Sequence, residues 1–316
     1  MAEIGTDIEK AGALLASGEL VAIPTETVYG LAGNAFDPGA VAKIFEVKNR
    51  PSFDPIIVHV SSVDRVGEFV ESIPQIAMTL AKAFWPGPLT ILLRRKKVIP
   101  DLVTAGLDTV GVRNPKHPIT SALLERLSFP VAAPSANPFG YISPTTAQHV
   151  NEQLGDKIKY ILDGGPCQVG IESTIVGFDD EKVTVLRLGG IPVDAIEKVI
   201  GAVAIDTSSV SRIVAPGQLA SHYAPVRKVV LGHLEKLLET YGNRAAVLSF
   251  NKQYPQARYN FILSPDGNLE QAAQNLFSSL REMDKLDVDL ILAEEVPDHG
   301  LGRAINDRLR RAAANR

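Results

Sequence analysis

Apolar residues recur along this chain of 316 residues in two alternating rhythms. Residues 8–17 carry their apolar positions at helical spacing, and AVAKIFEVK at 40–48 does the same with Val41, Ile44, Phe45 and Lys48 before Pro51 stops the helix. Short, nearly continuous apolar runs stand between such segments: LVAIPT, PIIVHV, TILLRRK and FPVAAP read as buried strands. IAMTLAKAFW, halted by WPGPLT, and PITSALLERLS read as helices between them. KYILDGG, ESTIVGF and VTVLRLGG add further strands, and DAIEKVIG a closing helix. The strands are short and mixed, with no repeated unit. The pattern predicts an α/β fold built on an open, twisted mixed sheet rather than a regular βα barrel.

The rhythm fails near Asp206, where Ser, Pro and Gly punctuate residues 206–225 as in a linker. A compact βα series then resumes with KVVLG, LEKLLETYG, AAVLSF, RYNFIL, LEQAAQNLFSSLREMDKL and VDLILAEEV. It predicts a second, smaller, doubly wound Rossmann-like domain. The expected division is a catalytic domain at 1–205, a linker at 206–225 and a small domain at 226–316. The last helix, GRAINDRLRRAAANR, is basic and reads as a solvated face.

Composition narrows the function classes. The net charge of −4 argues against a globally basic surface for nucleic acid, although a local cationic cleft remains compatible with it. Cys167 is the single cysteine, which excludes an intramolecular disulfide and a cysteine-cluster zinc site. The first twenty residues lack the pattern of a signal peptide, and no apolar run reaches spanning length. A cytoplasmic protein without membrane association is expected.

Neither GxxxxGK[ST] nor GxGxxG occurs, so a bound nucleotide would need another device. Lys48 and Arg50 in KNR close a helix ahead of two prolines and a strand. They suit that helix's dipole, and equally a polyphosphate clamp. In APSANPFGYISPTT, Ser135 and Asn137 follow a strand exit, the place where open α/β sheets hold ligands. Ser143 before Pro144 predicts an N-cap and a helix from Pro144 to about Leu154, whose free N–H groups would suit an anion. PTETVYG crowds Glu26, Thr27 and Tyr29 at a turn closed by Gly30, and GIESTIVGF repeats that chemistry with Glu172, Ser173 and Thr174. Arg113 in GVRNP fits either a bidentate carboxylate site or a structural salt bridge. His59, inside PIIVHV, reads by itself as a packed core histidine. No His/Cys grouping supports a transition metal, and no GxSxG or triad is present.

Taken in order, PTETVYGLAGNA, KNRP, PIIVHV, WPGPLT, GVRNP, APSAN with SPTTAQHV, DGG with GIESTIVGF, and PGQLASHYAP resemble the threonylcarbamoyl-AMP synthases in their long form, with a YrdC-like first domain. The resemblance implies an enzyme, a nucleotidyltransferase that joins L-threonine, bicarbonate or CO2 and ATP into threonylcarbamoyl-AMP and pyrophosphate. A separate tRNA threonylcarbamoyl transferase system would use the product beside the anticodon, and this step would need no tRNA contact. By the same resemblance Lys48 and Arg50 are catalytic. Together with Asp54, Thr109, Ser135, Asn137, Ser143, Thr145, Arg187 and Tyr223 they would hold ATP. Thr27, His59, Arg113, Ser135 and Ser173 would hold threonine. Mg²⁺ would arrive with ATP, with no metal site of the protein's own, and the linker would act as a lid over a labile intermediate. Asp54 stands where many relatives carry Asn, and RLGG at 187–190 replaces a more usual Arg-Pro-Gly. Rival readings are an RNA-binding module, a carbamoyl transferase of hydrogenase maturation and a paralogue retaining only the fold. The charge, the single cysteine with the chain length, and the intact KNR and SAN motifs argue against them in turn.

Overall fold

The short apolar runs pair into two separate sheets in the computed structural model, which describes residues 1–179, 182–207, 215–219 and 221–314. Eleven strands form the first: β1 (Glu3–Gly5), β2 (Val21–Ile23), β3 (Gly30–Asn34), β4 (Ile57–His59), β5 (Leu89–Arg94), β6 (Thr109–Arg113), β7 (Val131–Ala132), β8 (Tyr160–Leu162), β9 (Thr174–Asp179), β10 (Lys182–Arg187) and β11 (Ala204–Ile205). Their order across the sheet is β1-β8-β2-β3-β7-β4-β6-β5-β9-β10-β11, with parallel and antiparallel pairs mixed. Helices cover both faces, which is why strands such as VAI are buried at every position instead of alternating. Leu15 of α1 (Ile8–Ala16) and Leu123 of α5 (Pro118–Arg126) pack on one side with Val21, Ile23 and Val131. The other side takes Ile44 of α2 (Pro38–Lys48), Leu80 of α3 (Gln75–Phe84) and Val150 of α6 (Ala147–Leu154). The short α4 (Asp101–Thr104) and α7 (Val193–Ile200) complete this layer.

The second sheet is wholly parallel, in the order β12-β15-β13-β14, from β12 (Lys228–Leu231), β13 (Ala245–Ser249), β14 (Tyr259–Ile262) and β15 (Leu290–Ala293). Leu234 and Leu238 of α8 (Leu234–Tyr241) pack on one face. The other face carries α9 (Leu269–Asp284) and α10 (Gly302–Ala313), and this is the doubly wound arrangement. The apolar cluster under α9 and α10 also takes in Val28, Ile142, Ile171 and Tyr223, so the two sheets' layers are joined by shared core. No helix of the described residues is long and apolar enough to cross a membrane.

Two local expectations need correction. The helix expected from Pro144 starts at Ala147, and its N-cap is Thr146, whose hydroxyl accepts from the His149 backbone N–H at 3.2 Å; Ser143 caps nothing. The turn crowded by Glu26, Thr27 and Tyr29 is present: it joins β2 to β3 as an antiparallel hairpin in which Gly30 lies opposite Ile23, and only β3 itself was not predicted. The last helix is more than a solvated face, because Arg308 on it is fully buried. Of the linker at 206–225, residues 208–214 and 220 lie outside the described residues. Ala215, in its described part, packs against Ile57 and Ile175.

Candidate active site

Strand ends create the site. β4 and β6 run parallel with His59 opposite Arg113, so both side chains leave the sheet at the same edge. β7 ends beside them, and the chain turns at once into Pro134 and Ser135, which bridges back to Gly30. These ends, with the 25–28 loop, residues 172–173 and the described linker, line a cleft of about 580 Å³ including its open mouth. Arg50, Arg113 and Arg187 face it, as do Asp54 and Glu172.

Lys48 occupies the last turn of α2, where Asn49 takes a left-handed conformation at φ 51° and turns the chain toward Arg50. The lysine does not line the cleft. Its buried ammonium donates to the carbonyls of Ser135 and Asn137 and thereby shapes the loop that does. Burial, reinforced by Arg50, holds its pKa well below the ordinary lysine range. Arg50 lines the cleft while donating to the Asp54 and Pro55 carbonyls at 3.0 and 2.6 Å, and lies 3.0 Å from Asp54 Oδ2. That last contact has ion-pair distance without hydrogen-bond alignment, so both Asp54 oxygens are buried and unpartnered as acceptors. Burial pushes the Asp54 carboxyl above its usual value against the pull of Arg50 and Lys48.

Arg113 forms the structural salt bridge that the sequence left open as one alternative. It pairs with Glu26 at 2.7 Å and donates to Thr27 Oγ1 at 2.9 Å, yet it still lines the cleft. Burial and the adjacent Arg113 push His59 down to about 3, so its imidazole is neutral near pH 7, and its Nδ1 has no partner. Ser173 Oγ meets Thr90 Oγ1 at 2.7 Å and accepts from Arg187 Nη2 at 3.0 Å. Tyr223 lines the cleft from the linker with φ 60°, a conformation that strains a bulky residue by about 1–3 kcal/mol.

The structure therefore brings Thr27, Arg50, Asp54, His59, Arg113, Ser135, Ser173, Arg187 and Tyr223 to one wall system. Lys48, Asn137, Ser143 and Thr145 sit directly behind it. Asn137 Nδ2 donates to the Pro138 and Tyr141 carbonyls, Ser143 Oγ donates to Glu172, and Thr145 contacts His149 Nδ1 at 3.3 Å. Thr109 is not brought there. It begins β6, four residues before Arg113 and so about 13 Å along the strand. Residues not singled out from the sequence also line the cleft, among them Thr25, Pro216, Gly217 and His222. Arg308 lies behind the wall, and its signal was present: it falls on the stripe Leu301, Ala304, Ile305, Leu309, Ala312, at core spacing.

Residues 13–189 match the family described as "Telomere recombination", and residues 191–314 match "Threonylcarbamoyl-AMP synthase, C-terminal domain". The threonylcarbamoyl-AMP synthase of Pyrococcus abyssi is 42% identical over 98% of this chain and 94% of that protein. The Bacillus subtilis protein of the same name is 40% identical over 98% of this chain and 93% of its own. The crystal structure of P. abyssi Sua5 complexed with L-threonine superposes with a TM-score of 0.92 and 40% identity, covering 99% of this chain and 97% of that one.

Proposed function

The chain belongs to the threonylcarbamoyl-AMP synthase family of nucleotidyl-transferring enzymes, and we propose that it makes threonylcarbamoyl-AMP and pyrophosphate from L-threonine, bicarbonate or CO2, and ATP. The observation that carries this reading is the convergence of Arg50, Arg113 and Arg187 from three different elements on one cleft beside a neutral histidine. Polyanion chemistry needs that arrangement and little covalent help.

In this reading Arg113 takes the threonine carboxylate, and its fork is held from behind by Glu26 and Thr27. Neutral His59 accepts from the threonine amine without adding charge. The neutral amine adds to CO2 with loss of a proton, or to bicarbonate with loss of water, and the oxygen of the resulting carbamate attacks the α-phosphorus of ATP as pyrophosphate leaves. Arg50 and Arg187 offset charge on the phosphates, and Lys48 acts by fixing the Ser135–Asn137 carbonyls. Mg²⁺ suits the residues present: Asp54 offers two buried oxygens without hydrogen-bond partners, and this cation favours one carboxylate plus phosphate oxygens. It would supply charge neutralisation on the phosphates. The Tyr223 segment would exclude water from the carbamate and the mixed anhydride. A downstream transferase would then move the threonylcarbamoyl group to an adenosine of tRNA.

The test is pyrophosphate release from ATP and Mg²⁺ by the purified protein, with and without threonine and bicarbonate. Release that requires both supports the reading. Release indifferent to threonine means another acceptor, and a protein that binds ATP without turnover sinks the reading.

A further inference from the structure

Glu172 lies in the wall of the cleft, 6% exposed, with both carboxylate oxygens engaged. Oε1 accepts from Ser143 Oγ in the first domain, and Oε2 accepts from Arg308 Nε at 2.8 Å. Arg308 stands on α10 of the second domain and is 0% exposed. Its remaining nitrogens are also committed: Nη2 donates to the Leu188 carbonyl at 2.8 Å, and Nη1 to Asp307 at 2.6 Å. The same guanidinium lies 4.7 Å from the centre of the Tyr223 ring, and that ring stacks on Phe277 of α9 at 5.7 Å. Arg281 of α9 donates to the carbonyls of Ile142 and Ser143, so a second buried arginine braces the same stretch of wall.

We propose that Arg308 is a positioning residue of the active site: by neutralising Glu172 and supporting the Tyr223 ring it holds the Ser143 side of the cleft in place for the nucleotide, which makes the second domain part of the site. The inference rests on the functional reading above. Its physical basis is charge. A carboxylate in the wall of a site for a polyphosphate repels the ligand unless a cation is fixed to it. Left alone, Glu172 would turn to Arg187, the cleft arginine that its charge already reaches, and take that cation from the ligand. Arg308 supplies the counter-charge from outside the cleft, leaving Arg50, Arg113 and Arg187 to face substrates. Lysine cannot replace it, because one ammonium cannot satisfy Glu172, Leu188 and Asp307 in the fixed fork that the guanidinium provides.

The test uses the full chain, with Arg308→Lys, Arg308→Met, Glu172→Gln and the Arg308→Met/Glu172→Gln double variant. Threonine-dependent pyrophosphate release is measured against ATP concentration, ATP affinity by equilibrium dialysis, and folding by circular dichroism. Arg308→Lys is expected to fold and to lose about 100-fold in kcat/KM for ATP, mainly through KM, with the KM for threonine little changed. The double variant is expected to recover at least about tenfold over Arg308→Met, because the unneutralised carboxylate is gone and coupled residues do not behave additively. Wild-type ATP kinetics in Arg308→Lys with only a lowered Tm would overturn the proposal, as would strictly additive effects in the double variant. Wild-type protein that releases no pyrophosphate sinks the functional reading, and ATP dialysis on Arg308→Lys then decides the present one. Wild-type protein that binds no ATP overturns both.

Discussion

Lys48 and Arg50 are two residues apart and do different work. Lys48 is buried under two carbonyls, whereas Arg50 reaches the cleft. Arg50→Ala should lower kcat/KM for pyrophosphate release and also cost stability, because it frees the Asp54 and Pro55 carbonyls and takes the cation from buried Asp54. Lys48→Ala should lower it too and cost about 1–3 kcal/mol of stability, since the Asn137 carbonyl loses its donor while the Ser135 carbonyl keeps the Asn137 N–H. Kinetics paired with urea midpoints test both, and a Lys48→Ala variant with wild-type midpoint and kinetics would refute its role behind the wall. His59 carries a pH prediction. Its folded pKa is depressed to about 3 against an ordinary value of 6.5, so the unfolded chain binds the proton first. The stability this histidine lends is fully present above 6.5 and drains away as pH falls through about 3. Between these limits its contribution to the slope is about 1.4 kcal/mol per pH unit. Replacing it in His59→Asn should flatten the decline of unfolding free energy measured from pH 6 to 4; an unchanged slope would mean that the folded protein protonates His59. The sequence named this residue correctly as a strand position. Its titration was not legible there, because Arg113 becomes its neighbour only through pairing of β4 with β6.

At the scale of elements, caps and stripes were partly readable. Ser-Pro is a sound helix start in isolation, and Thr146 displaces it because Glu172 takes the Ser143 hydroxyl from a distant strand end. Thr146→Ala should thus cost about 1 kcal/mol of stability with unchanged kinetics. Ser143→Ala should leave helix α6 intact and raise the KM for ATP. Far-UV circular dichroism with kinetics tests this, and the reverse pattern would restore Ser143 as the cap. Strand β3 escaped detection because GLAGN has no β-branched residue and Leu31 is its single large apolar side chain. It is a strand because Gly33 lets Leu20 and Ile44 approach to 3.0 and 3.2 Å of where a Cβ would stand. Helix α10 was mistaken for a solvated face because its basic character masked Arg308 at a core position of the apolar stripe.

For the whole molecule, the joint between the two domains decides behaviour. Gly170 has φ 78°, and a Cβ there would strike the backbone of Ala273 and Gln274 on α9. Gly170→Ala should pry the 165–173 loop from that helix, lowering Tm and pyrophosphate release together. A variant with wild-type Tm and pyrophosphate release would show that the joint tolerates separation. The alternation of periods, the break near Asp206 and the order of the motifs were determined by the sequence alone, because each is a local property of neighbouring residues. Which strands pair, that Lys48 acts through carbonyls, that Thr109 sits at the far end of β6, and that a cation from the last helix neutralises Glu172 were decided only by tertiary structure. Those relations join residues as distant in sequence as Glu3 and Tyr160 or Glu172 and Arg308, and burial strengthens the charged ones by removing the water that would otherwise screen them.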